Sequence, residues 1–401
     1  MLNFKLLYTY GILMIIRNVR EEEWDDFMKL LERSYGFSSG FFPRYYPYIY
    51  GAECRDLSSF YVVEDNGKLV SHVGLFKMKA ISFGHSIIMG GIGGVATLPE
   101  ERGKGYMTVL LNHVINVMKR DGIPLSVLWG DRQRYGAFGW EVAGQKQALY
   151  ITSRSLSRSG IRPIELNSVE WDYAVPLMSK HYESVPVRVE RRWECYKDYR
   201  SLDPASLGDP PLKVWVSEHG YVISQGSGTV RGVLSKPNIV EVASLSNHEA
   251  ELVGGFMKSA SVNEAVVHVN AFDEARLGRL LKIVSYYVTL PEGVFRINNV
   301  YALLKSFEPL LSNRAQELGL KDYEVTLGLI FNNEVDKATV FIRGGSVYIS
   351  SSEESRNYVE LGERDGVRLI LGGPMSYVAK GLKPLAALLP IPIHVPFLNY
   401  V

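Results

Sequence analysis

The sequence predicts an α+β protein with mixed sheets, built in three successive parts. Three observations carry this. The first part reads strand, helix, hairpin, strand, helix, strand, helix or turn, and strand, which makes one mixed sheet with helices packed on it. The same order returns, more faintly, in the middle of the chain. From about Val294 the texture changes to a long helix, a run of strands and a final helix. A length of 401 residues exceeds one compact core and agrees with several domains.

In the first part, residues 15–19 read as a strand. Residues 21–35 carry Trp24, Phe27, Met28 and Leu31 at helical spacing, and Gly36 is a natural stop. Residues 59–64 and 68–78 flank Asn66-Gly67, a strong hairpin signal. Residues 87–97 form an apolar strand rich in glycine. A helix over 105–120 presents Met107, Leu110, Leu111, Val114 and Met118 on one face, and Gly122 ends it. Residues 124–129 and 140–152 read as strands.

In the second part, residues 221–224 and 229–234 read as a hairpin around Gln225-Gly226-Ser227-Gly228. Residues 239–244 are a strand. Ser246 and Glu249 have capping-box spacing for a helix through Met257. A strand over 265–269 and a helix over 273–281 follow, and residues 204–211 are a proline-marked loop. In the third part, residues 300–318 read as one amphipathic helix. Strands are expected over 324–331, 338–342, 346–350 and 367–370, with turns at Gly344-Gly345 and Arg364-Asp365-Gly366. A last helix covers 375–388. The tail PIPIHVPFLNYV is apolar enough to dock on protein.

Hydrophobic residues make up 46% and charged residues 22%, with a formal net charge of +1. That balance removes the electrostatic case for nucleic-acid binding. Cys54 and Cys195 form no ligand cluster, so no metal site is expected. Two lone cysteines fit a reducing, cytoplasmic compartment, and a disulfide between them is left open. The eight histidines show no paired spacing, and no Gly-x-Ser-x-Gly elbow exists. Residues 1–14, MLNFKLLYTYGILM, are too short to span a bilayer. They read as an extension before a natural start at Met14, without stable membrane insertion.

The segment that carries chemistry is GGIGGVATLPEERGKGYM, residues 90–107. A glycine-rich strand ending in Val95, Ala96 and Thr97 leads to Arg102, Gly103, Lys104, Gly105, Tyr106 and Met107, which open a helix. Unpaired N–H groups and the helix dipole at such a start bind a pyrophosphate. Gly103 and Gly105 let the backbone approach it. The strand offers its free edge to an extended, amide-bearing arm. The spacing does not fit the dinucleotide-binding fingerprint. Read bluntly, the segment is also an ordinary strand-to-helix turn; its context favours the phosphate site.

The segment resembles motif A of the GNAT acetyltransferases, Arg/Gln-x-x-Gly-x-Gly/Ala. Arg102 and Gly105 fit, and Met107 departs from the small final residue. Downstream, Arg134-Tyr135-Gly136-Ala137-Phe138-Gly139-Trp140 resembles an element of the enhanced intracellular survival (Eis) acetyltransferases. The resemblance implies a catalytic GNAT domain (15–152), a degenerate GNAT-like domain (153–293) and a sterol-carrier-protein-like domain (294–401). It implies acetyl-CoA as co-substrate and a small-molecule or peptide amine as acceptor. It implies Tyr135 as general acid and the carboxylate of Val401 as general base. The backbone N–H groups near Val95 would polarise the thioester carbonyl. A homo-oligomer is left open. A protein that binds coenzyme A or an apolar ligand without catalysis is the alternative, and a scaffold of three domains the third reading.

Overall fold

The computed structural model describes residues 5–9, 12–196, 212–226, 229–230, 233–234, 237–375 and 377–401. The glycine-rich segment is a central strand, His85–Thr97, of the first and largest sheet. Spatially that sheet runs Lys5–Thr9, Ile12–Asn18, Phe60–Asp65, Lys68–Ser82, His85–Thr97, Leu125–Leu128, Gly293–Ile297 and Glu141–Ala143. Val187–Val189 pairs with the far end of Lys68–Ser82. Asn66 at φ 50° and Gly67 at φ 77° supply the left-handed backbone that the hairpin turn needs. The helix Tyr106–Arg120 buries Leu110, Leu111, Val114 and Met118 against this sheet. Each such side chain contributes about 1.5–3 kcal/mol of burial.

The second sheet runs Tyr286–Leu290, Lys146–Thr152, Glu264–Asn270, Asn238–Ala243, Gly220–Gln225, Leu212–Ser217 and Asn167–Val169. The two sheets exchange strands. Lys146–Thr152 follows the first sheet in sequence but lies in the second, between Tyr286–Leu290 and Glu264–Asn270. In return, Gly293–Ile297 lies in the first sheet, between Leu125–Leu128 and Glu141–Ala143. The boundaries expected at 152/153 and 293/294 therefore do not coincide with sheet boundaries. The expected strand over 140–152 is two strands in different sheets. Gly144, at φ 73°, breaks it where a β-carbon would lie 2.5 Å from that of Glu292.

Other expectations are corrected by tertiary context. Gly220–Gln225 pairs with Leu212–Ser217 and Asn238–Ala243 rather than with 229–234. Thr229–Val230 and Val233–Leu234 pair with each other. The turn at 225–228 and the loop at 204–211 lie partly or wholly outside the described residues. The capping box at Ser246 does not form: the Ser246 hydroxyl sits 2.9 Å from His248 Nδ1, and the helix is Glu249–Ser259. The helix over 300–318 breaks at Phe307 into Val300–Ser306 and Glu308–Glu317. Pro309, lacking an N–H, cannot continue the first helix but fits the first turn of the second.

The third sheet runs Ser346–Ser350, Glu334–Arg343, Asp322–Phe331 and Tyr358–Gly362, the last two parallel. Residues 367–370 belong to a helix, Glu363–Leu371, not a strand. A short apolar run has no readable period, and Gly366 lets this helix close on Leu329, 2.3 Å from where its β-carbon would be. The expected final helix shrinks to Lys383–Leu388 after a 3₁₀ turn at Lys380–Leu382.

One apolar cluster joins the third sheet to the first, with Met89, Leu125 and Val127 beside Leu303, Leu327 and Ile391. Glu141 is buried there, yet Arg132, Arg364, a backbone N–H and Arg368 more than offset the burial and hold its carboxyl at about 2. Arg364 and Arg368 reach it from the third part at 2.7 Å each. The tail docks as expected. Arg314 holds the carbonyls of Leu388 and Pro390 at 2.6 and 2.7 Å. His394 Nδ1 lies 2.9 Å from Glu292, and Ile391, Val395 and Leu398 are fully buried.

Candidate active site

The strand His85–Thr97 is deformed on both edges. It pairs with Leu125–Leu128 only at Met89, Gly90 and Gly91, after which the parallel strands part. Past that point no strand covers this edge among the described residues, so its backbone groups have no ladder partner there. On the other edge the ladder with Lys68–Ser82 shifts register between His72 and Gly74. Gly94 and Val95 then stand opposite Val73 alone, a β-bulge. Gly94 adopts φ 59°. His72 Nδ1 lies 2.7 Å from the Gly94 carbonyl and so carries the proton it donates. Burial pushes the His72 pKa down to about 4, which keeps the ring neutral.

The helix start follows. Gly103 and Gly105 both have φ 83°, and a β-carbon on either would meet nothing within 4 Å. The backbone there is bare and open. Gly105 caps the helix, leaving the N–H groups of the first turn without intrahelical partners. Arg102 ties the loop down, donating to Thr97 O at 3.3 Å and to Ser34 O at 2.8 Å. The Tyr106 hydroxyl donates to Asp65 at 2.5 Å, and burial with that contact pushes its pKa up to about 12.

A cavity of about 620 Å³ lies over this turn, lined by Val95, Ala96, Thr97, Arg102, Gly103, Gly105, Tyr106 and Met107, with Tyr35 and Arg134 opposite. Lys104 does not line it; its ammonium pairs with Glu101 at 2.6 Å. Open glycines, a helix start and a bare strand edge fit a pyrophosphate followed by an amide-bearing arm.

Tyr135 sits in the short helix Arg132–Gly136, next to Arg134 of the cavity wall but not itself in that wall. Its ring is buried against Gly130 and edge-on to Trp140. Burial pushes its pKa up, so the phenol holds its proton at neutral pH. The Tyr35 hydroxyl donates to Val95 O at 3.1 Å, across the bulge.

Val401 lies on the other side of the glycine-rich strand's parting. A β-carbon on Gly93 would fall 2.4 Å from the Val401 carboxyl carbon, and one on Gly91 2.7 Å from its side chain. Tyr400 stacks on Trp129, just past Leu125–Leu128, at 4.0 Å between ring centroids. The last two residues thus touch both strands where they separate. Tyr48 donates its hydroxyl to the Tyr400 carbonyl, and Lys146 reaches the Tyr400 hydroxyl at 3.1 Å. Val401 also lines a second cavity of about 620 Å³ with Tyr48, Phe76, Met78, Arg191 and Asn399.

Residues 15–143 match the family described as acetyltransferase (GNAT) domain. That stretch, about a third of the chain, is what is similar to the domain. An uncharacterised N-acetyltransferase of Methanocaldococcus jannaschii is 30% identical over 148 residues, which is 33% of this chain. The matched stretch spans 59% of that relative's length. Solved structures share the fold over nearly the whole chain. A GCN5-related N-acetyltransferase from Kribbella flavida has a TM-score of 0.67 at 14% identity, covering 97% of this chain and 99% of its own. A probable N-acyltransferase from Enterococcus faecalis has a TM-score of 0.68 at 16% identity, covering 97% and 100%. Eis1 from Mycobacterium abscessus has a TM-score of 0.61 at 14% identity, covering 90% of each chain.

Residues outside the motif shape the bulge and hold the chain end. His72 holds the bulge, and Tyr48, Trp129 and Lys146 grip Tyr400; no spacing in the sequence marks them. Cys54 and Cys195 are bonded as a disulfide beside the second cavity. This replaces the reading of two lone thiols, and with it that argument for a reducing compartment. Among the described residues no cluster could hold a metal ion, and no helix is long and apolar enough to cross a membrane.

Proposed function

We propose that the protein is an acetyl-CoA-dependent N-acetyltransferase of the Eis type, acting on a primary amine by direct transfer. The observation that carries this is the meeting of the Val401 carboxyl group with Gly93, on the same strand whose free edge leads into the Arg102–Met107 turn. In this reading the turn binds the pyrophosphate of coenzyme A and the strand edge its arm. The Val401 carboxylate accepts a proton from the ammonium, directly or through a water. The neutral nitrogen attacks the thioester carbonyl, polarised by N–H groups near Val95. A carbon–nitrogen bond forms and a carbon–sulfur bond breaks. Tyr135, still protonated because it is buried, gives a proton to the departing thiolate and is reprotonated as the nitrogen sheds its second proton.

The second sheet belongs, in the same reading, to a degenerate GNAT-like domain and the third to a sterol-carrier-like domain. The acceptor is a small molecule or peptide that enters by the second cavity. The test is thiol release from acetyl-CoA with a panel of amines, with acetylated product identified by mass. Binding of coenzyme A without transfer to any amine would instead favour the non-enzymatic alternative.

A further inference from the structure

We infer that Asn399, held by the buried Arg191–Glu241 pair, is the positioning residue for the Val401 carboxylate. The proposal rests on the reading of that carboxylate as the base. Arg191 has a fully buried side chain. Its two terminal nitrogens donate to Glu241 at 2.8 and 2.6 Å, and Tyr221 adds a hydroxyl to the same carboxylate at 2.6 Å. Its third nitrogen, Nε, donates to the Asn399 side-chain oxygen at 2.9 Å. The Asn399 amide nitrogen lies 3.2 Å from the Tyr196 hydroxyl, and that hydroxyl lies 3.2 Å from the Leu398 carbonyl.

Two arguments make this a device rather than ordinary packing. First, a buried guanidinium is costly, and one carboxylate satisfies only part of its fork. The structure commits its Nε donor to a residue two positions before the terminus. The guanidinium is also stacked 3.9 Å from the Tyr182 ring centre, so it has one orientation. Second, the chain of contacts crosses domains. Glu241 and Tyr221 stand on strands of the second sheet, Asn238–Ala243 and Gly220–Gln225. Val401 lies against a strand of the first. A chain end frays unless something ties it down, and a base displaced by about 1 Å can lose a hundredfold in rate. The second sheet, which carries no phosphate turn of its own among the described residues, thereby serves the catalytic strand of the first.

The test uses the full chain with Asn399→Ala, which leaves the Arg191–Glu241 pair intact. With acetyl-CoA and a saturating amine at pH 7, turnover falls by about tenfold to a hundredfold. Coenzyme A affinity stays within about twofold, because the Arg102–Met107 turn is untouched. The deficit shrinks as pH rises toward the pKa of the amine, where a neutral amine no longer needs a base. Asn399→Asp keeps the acceptor for Arg191 and restores most of the rate. A protein extended by a few residues beyond Val401 is assayed in parallel. If extension cripples catalysis while Asn399→Ala stays within twofold of the parent, the positioning role is overturned and the base stands. A deficit equal at every pH and accompanied by a lowered melting temperature also overturns it. If the extended protein is fully active, the carboxylate reading itself falls, and the proposal with it.

Discussion

Gly93 and Val401 are in such close contact that any side chain at position 93 would strike the terminal carboxyl group. The obstacle to a β-carbon is the carboxyl carbon at 2.4 Å, with its oxygen at 3.0 Å, not the end of a flexible side chain. Gly93→Ala should therefore expel the terminus and lower turnover by about tenfold or more, while coenzyme A still binds. A tag after Val401 should do the same, because it converts the carboxylate to an amide. Val401→Ala should be mild. Initial rates with a saturating amine, alongside melting temperatures, give the ordering. A packing role for Val401 predicts the reverse: Val401→Ala harmful and a flexible tag tolerated.

Gly105→Val should abolish the thermal shift produced by coenzyme A. The residue sits at φ 83°, where a β-branched side chain is strained by about 1–2 kcal/mol, and its methyl groups would stand in the open approach to the helix start. Wild-type affinity in this variant would put the pyrophosphate elsewhere.

Tyr135→Phe should lower turnover more than it alters acetyl-CoA affinity. The ring still fills the space between Gly130 and Trp140, but the proton donor is gone. General acid catalysis is worth about a hundredfold to ten-thousandfold. A variant within about threefold of the parent would remove Tyr135 from the mechanism.

His72 should make stability depend on pH. Its pKa is lowered by burial to about 4 in the folded protein, against about 6.5 unfolded. The unfolded chain thus binds the extra proton first. The stabilisation is fully present above about pH 6.5 and is lost as pH falls toward 4. Between pH 7.5 and 5 it should amount to about 2 kcal/mol. Denaturant titrations of the parent and His72→Gln at the two pH values measure it; equal slopes in both would refute the assignment.

The turn at 102–107 is legible in the sequence because its signal is local. Gly103, Gly105 and the apolar periodicity of residues 106–118 lie within a few turns of one another, and backbone geometry alone makes the turn. Arg191 is the opposite case. In the run Val189-Glu190-Arg191-Arg192 it reads as one more surface charge. Its burial depends on Glu241 and Asn399, neither near it in sequence. The helix Glu363–Leu371 is hidden for a related reason: Val367-Arg368-Leu369-Ile370 suits a strand, and the contacts of the helix, Gly366 with Leu329 and Arg364 and Arg368 with Glu141, are distant in sequence. The tail was legible as docked from its apolar content, but its partners were not.

The exchanged strands bear on how the chain is made. Glu141–Ala143 joins its sheet only through Gly293–Ile297. A ribosome must therefore release about 150 further residues beyond Glu141 before the sheet that carries the glycine-rich strand can be finished. Until then Lys146–Thr152 and the edge of Leu125–Leu128 wait with open ladders, and pairings of such sequence separation form slowly. N-terminal parts of many chains fold as they emerge. Here the first sheet and the second are finished together, and a gene cut at residue 152 would part Lys146–Thr152 and Leu125–Leu128 from strands they pair with.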